Sequence, residues 1–153
     1  MGALIRKRHN LSILMYHFVF VAKYRRFVIT EEVDKVLQQV CIEISKRFEI
    51  RFMEIGAERD HVHFLIQSVP SFSPTKMVTV VKSITAREIF SRVPTVKGQL
   101  WGGEFWTDGY FVSTVGAYAN EDVIRHYIKN QGEHGAYKRL HKQEATYKQL
   151  TLF

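Results

Sequence analysis

The stretch Leu11 to Lys23 constrains the fold more than any other part of the chain. Extended, it places Ile13, Met15, Val19 and Val21 on one face and Leu14, Tyr16, Phe18 and Phe20 on the other. A strand that is apolar on both faces belongs in the middle of a sheet, with cover on each side. The segments that follow supply the neighbours. Thr30 stands as an N-cap ahead of Glu31, Glu32 and Asp34, and Val33, Val36, Leu37, Val40 and Ile44 then recur at helical spacing to about Phe48. Ile50 to Ala57 and His61 to Val69 alternate as strands, and the short polar stretch Glu58, Arg59 and Asp60 between them predicts a hairpin. Pro70, Ser71, Ser73 and Pro74 break the chain. Met77, Val80, Val81, Ile84, Ile89 and Phe90 predict a second helix that ends before Pro94. Val93 to Gly103 reads as loop, and Glu104 to Val115 as a strand interrupted near Gly109. After Gly116 a last helix runs from about Asn120 to Asn130 and stops before Gly132. The order β-α-β-β-α-β plus a helix is α+β, the split β-α-β of ferredoxin-like (RRM-like) antiparallel sheets. Helices in that arrangement cover one sheet face, and the other must either be covered by something else or carry the function.

No repeat, low-complexity tract or long Pro/Gly linker divides the 153 residues, so residues 1–153 are expected to form a single domain. Its core spans about 10–131, with 132–153 as a peripheral tail. A hydrophobic fraction of 46% excludes a disordered chain. The best apolar run, Leu11 to Ala22, contains His17 and falls short of the roughly 18 residues a membrane span needs, so no membrane association is expected. Lys23, Tyr24, Arg25 and Arg26 follow it where a signal peptide would carry small residues. One cysteine, Cys41, allows neither an internal disulfide nor a thiolate zinc cage; a core role and a reducing cytoplasmic setting are expected.

The formal charge of +7 is unevenly placed. Residues 1–30 hold Arg6, Lys7, Arg8, Lys23, Arg25 and Arg26 with no acidic residue, and Lys76, Lys82, Arg87, Arg92 and Lys97 are opposed only by Glu88. Basic zones interleaved with Tyr16, Tyr24 and Phe27 suit a polyanion whose bases can stack. Solvated surface is the competing reading of the same charges.

His61 and His63, two apart on a predicted strand, share one face while Val62, Phe64 and Ile66 point into the core. Imidazoles on one pleat can converge on a divalent cation, although an H-x-H triplet by itself is more often a pair of exposed histidines. No H-E-x-x-H, cysteine pair or finger spacing accompanies it. Tyr127 and Gln131 lie four apart, on one face of the last predicted helix. A Gln oxygen is a neutral hard ligand suited to Mg²⁺ or Mn²⁺, and a cation held by His61, His63 and Gln131 would keep its full charge for a phosphodiester. It would also lower the cost of forming phenolate at Tyr127, making it a nucleophile, where a lone tyrosine on an amphipathic helix is more often core. His17 is expected to be a hydrogen-bonded core or supporting residue and His126 to lie on the surface. Asp60 is a reserve ligand that a regular strand would turn away from His61. Trp101 and Trp106, bracketing Gly102 and Gly103, either stack unpaired bases or close the core edge.

Four blocks then occur together: Tyr16 to Arg26 (YHFVFVAKYRR), Asp60 to Leu65 (DHVHFL), Tyr110 to Gly116 (YFVSTVG) and Tyr127 to Gln131 (YIKNQ). In order and spacing the chain resembles, over about residues 10–131, the small single-tyrosine transposases of the HUH nuclease superfamily, from compact bacterial and archaeal insertion sequences. The resemblance implies that His61, His63 and Gln131 hold the divalent metal and that Tyr127 attacks DNA. It implies a homodimer whose first strands pair into one sheet, with composite sites taking histidines from one subunit and the tyrosine from the other. The implied substrate is single-stranded DNA bearing a hairpin near the element's ends, cleaved to a 5′-phosphotyrosine with release of a 3′-OH and later rejoined. Storing the bond energy in the protein–DNA link explains the lack of an ATP motif. One departure is Ala117, where relatives commonly carry a second glycine. Arg25, Arg26, Lys82 and Arg87 are the expected phosphate contacts. Two other readings are a noncatalytic nucleic-acid-binding module on the same sheet and a domesticated nuclease that processes hairpin repeats.

Overall fold

The computed structural model describes residues 4–7, 9–115 and 136–138. A short antiparallel pair, β1 (Ile5–Lys7) and β2 (Asn10–Ser12), opens the chain. There follow β3 (Leu14–Val21), α1 (Glu31–Arg47), β4 (Arg51–Ala57), β5 (His61–Ser68), α2 (Pro74–Arg92), α3 (Thr95–Gln99), β6 (Phe111–Val115) and β7 (Ala136–Lys138). The main sheet has the order β6-β3-β5-β4-β7. Its first four strands have the ferredoxin-like arrangement, every pairing antiparallel. The α+β, split β-α-β expectation is therefore met.

The two-sided strand is central, as its composition requires. β3 pairs along its whole length with β5, from Leu14↔Ser68 to Val21↔His61, and with β6 from Met15↔Val115 to Val19↔Phe111. Phe18, Phe20, Phe52, Ile55, Phe64 and Ile66 project from one sheet face into the main core. They meet Val33, Leu37, Val40, Cys41 and Ile44 of α1 and Met77, Val81 and Ile89 of α2, all buried. Cys41 is thus a packing residue. Caps hold both helix starts: Thr30 Oγ1 accepts from Val33 N at 3.2 Å and Ser73 Oγ from Lys76 N at 3.1 Å. The opposite sheet face carries only a small apolar cluster, Met15 and Leu65 with Ile13, Met53 and Val115 around them.

Several boundaries differ from the sequence reading. Leu11 to Lys23 is not one strand: Ile13 separates β2 from β3, and Lys23–Arg25 forms a 3-10 turn. The loop Val93 to Gly103 contains α3, and only Phe111–Val115 of the interrupted strand is strand, with Trp106 reduced to a single bridge to Ala22. The tail contributes β7, paired with β4 at Ile55↔Lys138, Gly56↔Tyr137 and Ala57↔Ala136, so part of 132–153 belongs to the sheet. Both edges of β3 are occupied within the chain, which leaves no edge for pairing β3 with its counterpart in a second subunit. The predicted helix over about 120–130, with His126, Tyr127 and Gln131, lies outside the described residues, as does Ala117. Among the described residues no helix is long and apolar enough to cross a membrane.

Candidate functional site

The face away from the helices is where the polar chemistry collects. The pairing of β3 with β5 sets Val21 opposite His61, Val19 opposite His63 and His17 opposite Leu65, so His17, His61 and His63 emerge on the same face. The rings of His61 and His63 lie 5.1 Å apart and are crossed at 72°. His17, diagonal to His63, stacks on it at 5.2 Å with only 10° between the planes.

Each histidine of the H-x-H pair is held at Nδ1 by another side chain. His61 Nδ1 lies 2.8 Å from Asp60 Oδ1. Burial pushes the Asp60 carboxyl up, but the hydrogen bond and charge of His61 and the charge of Arg25 outweigh it and hold it below the usual carboxylate range. An ionised carboxylate has no proton to give, so His61 donates. Arg25 Nη2 reaches the other oxygen, Asp60 Oδ2, at 3.4 Å, which completes a line Arg25–Asp60–His61. His63 Nδ1 lies 3.0 Å from His17 Nε2. Both residues are buried, at 3% and 0% exposure, and burial lowers each pKa from 6.5 to about 4. At neutral pH both rings are therefore neutral, the state in which an imidazole binds a metal.

Asp60 departs from its expected orientation because β5 begins at His61: the carboxylate belongs to the turn, where strand alternation does not apply. His17 is a supporting residue, and its partner is His63. The register that makes this contact, with residue numbers across β3 and β5 summing to 82, is set by the hairpin and sheet order and is invisible to spacing along one strand. Among the described residues no group of three His, Cys, Asp or Glu side chains gathers as a metal cage. Gln131 and Tyr127 lie outside them.

The expected phosphate contacts separate. Arg25 and Arg26 are exposed after β3, Arg25 reaching Asp60 just before β5, and Arg87 is exposed on α2. Lys82 is partly buried, and its ammonium donates to the carbonyls of Thr107, Asp108 and Gly109 at 2.6, 3.2 and 2.7 Å, a use for all three protons. It also lies over the rings of Phe20 and Tyr110. Lys82 ties the segment before β6 to α2, a structural role beside the phosphate contact expected of it. The two tryptophans separate as well. Trp106 is 5% exposed, packed on Phe20 and Phe105, with Nε1 donating to Thr85 Oγ1 at 2.9 Å, a core role. Trp101 is exposed.

The sequence signature of the family described as "Transposase IS200 like" matches residues 10–131. The chain is 30% identical over 118 residues to the ISDra2 transposase TnpA of Deinococcus radiodurans, covering 77% of this chain and 84% of that one. It is equally 30% identical to the transposase for insertion sequence element IS200 of Salmonella typhimurium, over 77% and 76% of the two chains. A crystal structure from Deinococcus radiodurans, assigned as a candidate transposase, superposes with a TM-score of 0.67 at 30% identity, over 82% of this chain and 96% of that one. A REP-associated tyrosine transposase bound to a REP hairpin has the same fold, with a TM-score of 0.52 at 10% identity over 81% and 67% of the chains.

Proposed function

The chain belongs to the IS200-like transposase family, and from that premise we propose that it cleaves and rejoins single-stranded DNA at hairpin-bearing ends, using a divalent cation and Tyr127. The observation that carries this reading is the histidine pair on the sheet face away from the helices, with Nδ1 of His61 held by Asp60 and Nδ1 of His63 held by His17. Supporting hydrogen bonds of this kind fix the tautomer and aim of a metal-binding imidazole. With Nδ1 engaged by the protein, Nε2 is the nitrogen each ring offers to a cation. His63 then carries its proton on Nδ1 and donates it to His17 Nε2, and His17 keeps its own proton on Nδ1.

His61, His63 and Gln131 would hold Mg²⁺ or Mn²⁺, whose charge, once bound, polarises a phosphodiester as a Lewis acid. Two neutral imidazoles and a neutral amide leave that charge undiminished. Tyr127 Oη would attack the phosphorus after giving its proton to solvent; the Oη–P bond forms, the P–O3′ bond breaks, and the 3′-oxygen takes a proton from solvent to leave as a hydroxyl. The 5′-phosphotyrosine conserves the bond energy for attack by another 3′-OH. A homodimer with composite sites is part of the proposal. Mixing His63→Ala subunits with Tyr127→Phe subunits should then restore cleavage that neither variant has alone, and no restoration would place both groups in one subunit.

The test uses single strands carrying hairpins from the DNA flanking the coding sequence. Cleavage should require Mg²⁺ or Mn²⁺ and vanish in His61→Ala and His63→Ala. In the spin-resonance spectrum of bound Mn²⁺, coupling to imidazole nitrogen should fall with each histidine removed. Binding of hairpin DNA with neither metal dependence nor histidine dependence would instead favour the noncatalytic module.

A further inference from the structure

Where β3 ends, the chain leaves the sheet through a backbone that side chains rarely adopt. Tyr24 and Arg25 have φ of 60° and 52°, left-handed values that are strained in two consecutive non-glycine residues. The surroundings impose this conformation. Ala22 N donates to Asp60 O, Lys23 N to Phe105 O and Arg25 N to Ala22 O, all at 2.8–2.9 Å. Lys23 Nζ pairs with Glu104 at 2.8 Å. Across from it, buried Leu100 anchors a reversal through Gly102 and Gly103, with φ of 99° and 76°, values that favour glycine.

Together the two turns carry outward a stacked pair, Tyr24 on Trp101, with centroids 5.6 Å apart and planes 26° from parallel. Trp101, Phe27 and Tyr24, at 71, 69 and 52%, are the three most exposed large hydrophobic side chains among the described residues. Phe27 lies in an open cleft with Arg25, Arg26 and Gln99. Burial does not explain these aromatics, since they pack on no core. Arg25 and Arg26 line that cleft, and the acids nearby are already paired, Glu104 with Lys23 and Asp60 with Arg25 and His61.

We propose that Tyr24 and Trp101 form a stacking platform for an unpaired nucleobase of single-stranded DNA, with Arg25 and Arg26 holding the adjoining phosphates. The inference rests on the reading of the chain as a single-strand transposase, and it names a substrate subsite of that same site. Arg25 connects the two, because its guanidinium reaches the carboxylate that orients His61. A strand whose base stacks on Trp101 is thereby set beside the histidine pair. Every base offers a π-face, so this contact positions the strand with little regard to sequence. The positive charge favours a strand over a second copy of the chain: an isologous contact here would set Arg25 and Arg26 against their own equivalents.

The test compares a thymidine homopolymer with an equally long abasic strand, which has the phosphates without the bases. The chain has two tryptophans, and the other is buried. The thymidine strand should therefore quench intrinsic fluorescence and shield it from acrylamide, and the abasic strand should do neither. Trp101→Leu should weaken thymidine binding by roughly 5- to 150-fold, the range for one lost base stack, and leave abasic binding unchanged; Trp101→Phe should retain most of the affinity. Equal losses on both strands, no loss on either, or a fall in oligomeric mass in Trp101→Leu would overturn the platform, the last by making the patch a contact between copies. The transposase reading fails separately: base-dependent quenching without a Tyr127-dependent DNA adduct sinks that reading and spares the platform, while the adduct without base-dependent binding does the reverse.

Discussion

At the scale of the residue, the site is a matter of which nitrogen points where. Asp60 and His17 touch neither cation nor substrate in this account; each fixes an imidazole proposed to hold the cation. His17→Ala should therefore weaken Mn²⁺ binding by about 10- to 100-fold without changing the ligand set, measured by calorimetry; unchanged affinity would reduce His17 to packing. Acid should expose the same arrangement in the metal-free protein. His17 and His63 titrate near 6.5 when unfolded and at about 4 when folded, because burial disfavours their charged forms. Between those values the unfolded chain binds more protons, so stability is full above pH 6.5 and is lost as pH falls toward 4. Urea midpoints of chelated protein should drop across that window, and the drop should shrink in His63→Gln. The facing of His61 and His63 was legible from their spacing alone. Their partners were not, because His17 and Asp60 are placed by strand register and by a turn boundary, neither of which leaves a periodic trace. The left-handed backbone at Tyr24 and Arg25 was equally hidden, since no residue type there announces it.

At the scale of the element, long periodic segments were read well: α1, α2, the β4–β5 hairpin and the centrality of β3 all follow from apolar spacing. What failed were short pieces whose existence depends on tertiary contact. α3 is a five-residue turn held by buried Val96 and Leu100, and β7 is a three-residue edge strand on β4. Such pieces are too short to carry a period. Lys82 shows the same limit for charge: a lysine on a helix looks alike whether it meets phosphate or three carbonyls. Lys82→Met should destabilise the fold by about 2 kcal/mol, the scale of lost charge-assisted hydrogen bonds, and speed hydrogen exchange in β6. The salt dependence of DNA binding should stay as it is, whereas Arg26→Gln should flatten the log–log slope by about 0.7, one phosphate's worth for a single strand. A flattened slope in Lys82→Met would return that residue to the DNA surface.

At the scale of the molecule, helices on one sheet face free the other for chemistry. The strand pairing puts the histidines, the Arg25–Asp60 link and the Tyr24–Trp101 pair at one end of the sheet, where β3 finishes and β5 starts. The basic surplus around that end suits the approach of a polyanion. Among the described residues β3 is paired on both sides, so its own edges are not free for the first-strand pairing expected of a dimer. The most direct measurement of the whole account is intact-protein mass after incubation with hairpin-bearing single strands and Mn²⁺, under denaturing conditions. A DNA adduct localised to Tyr127, absent with chelator and absent in Tyr127→Phe, is the predicted result. An adduct that persists in Tyr127→Phe, or forms equally well with the metal removed, would contradict it.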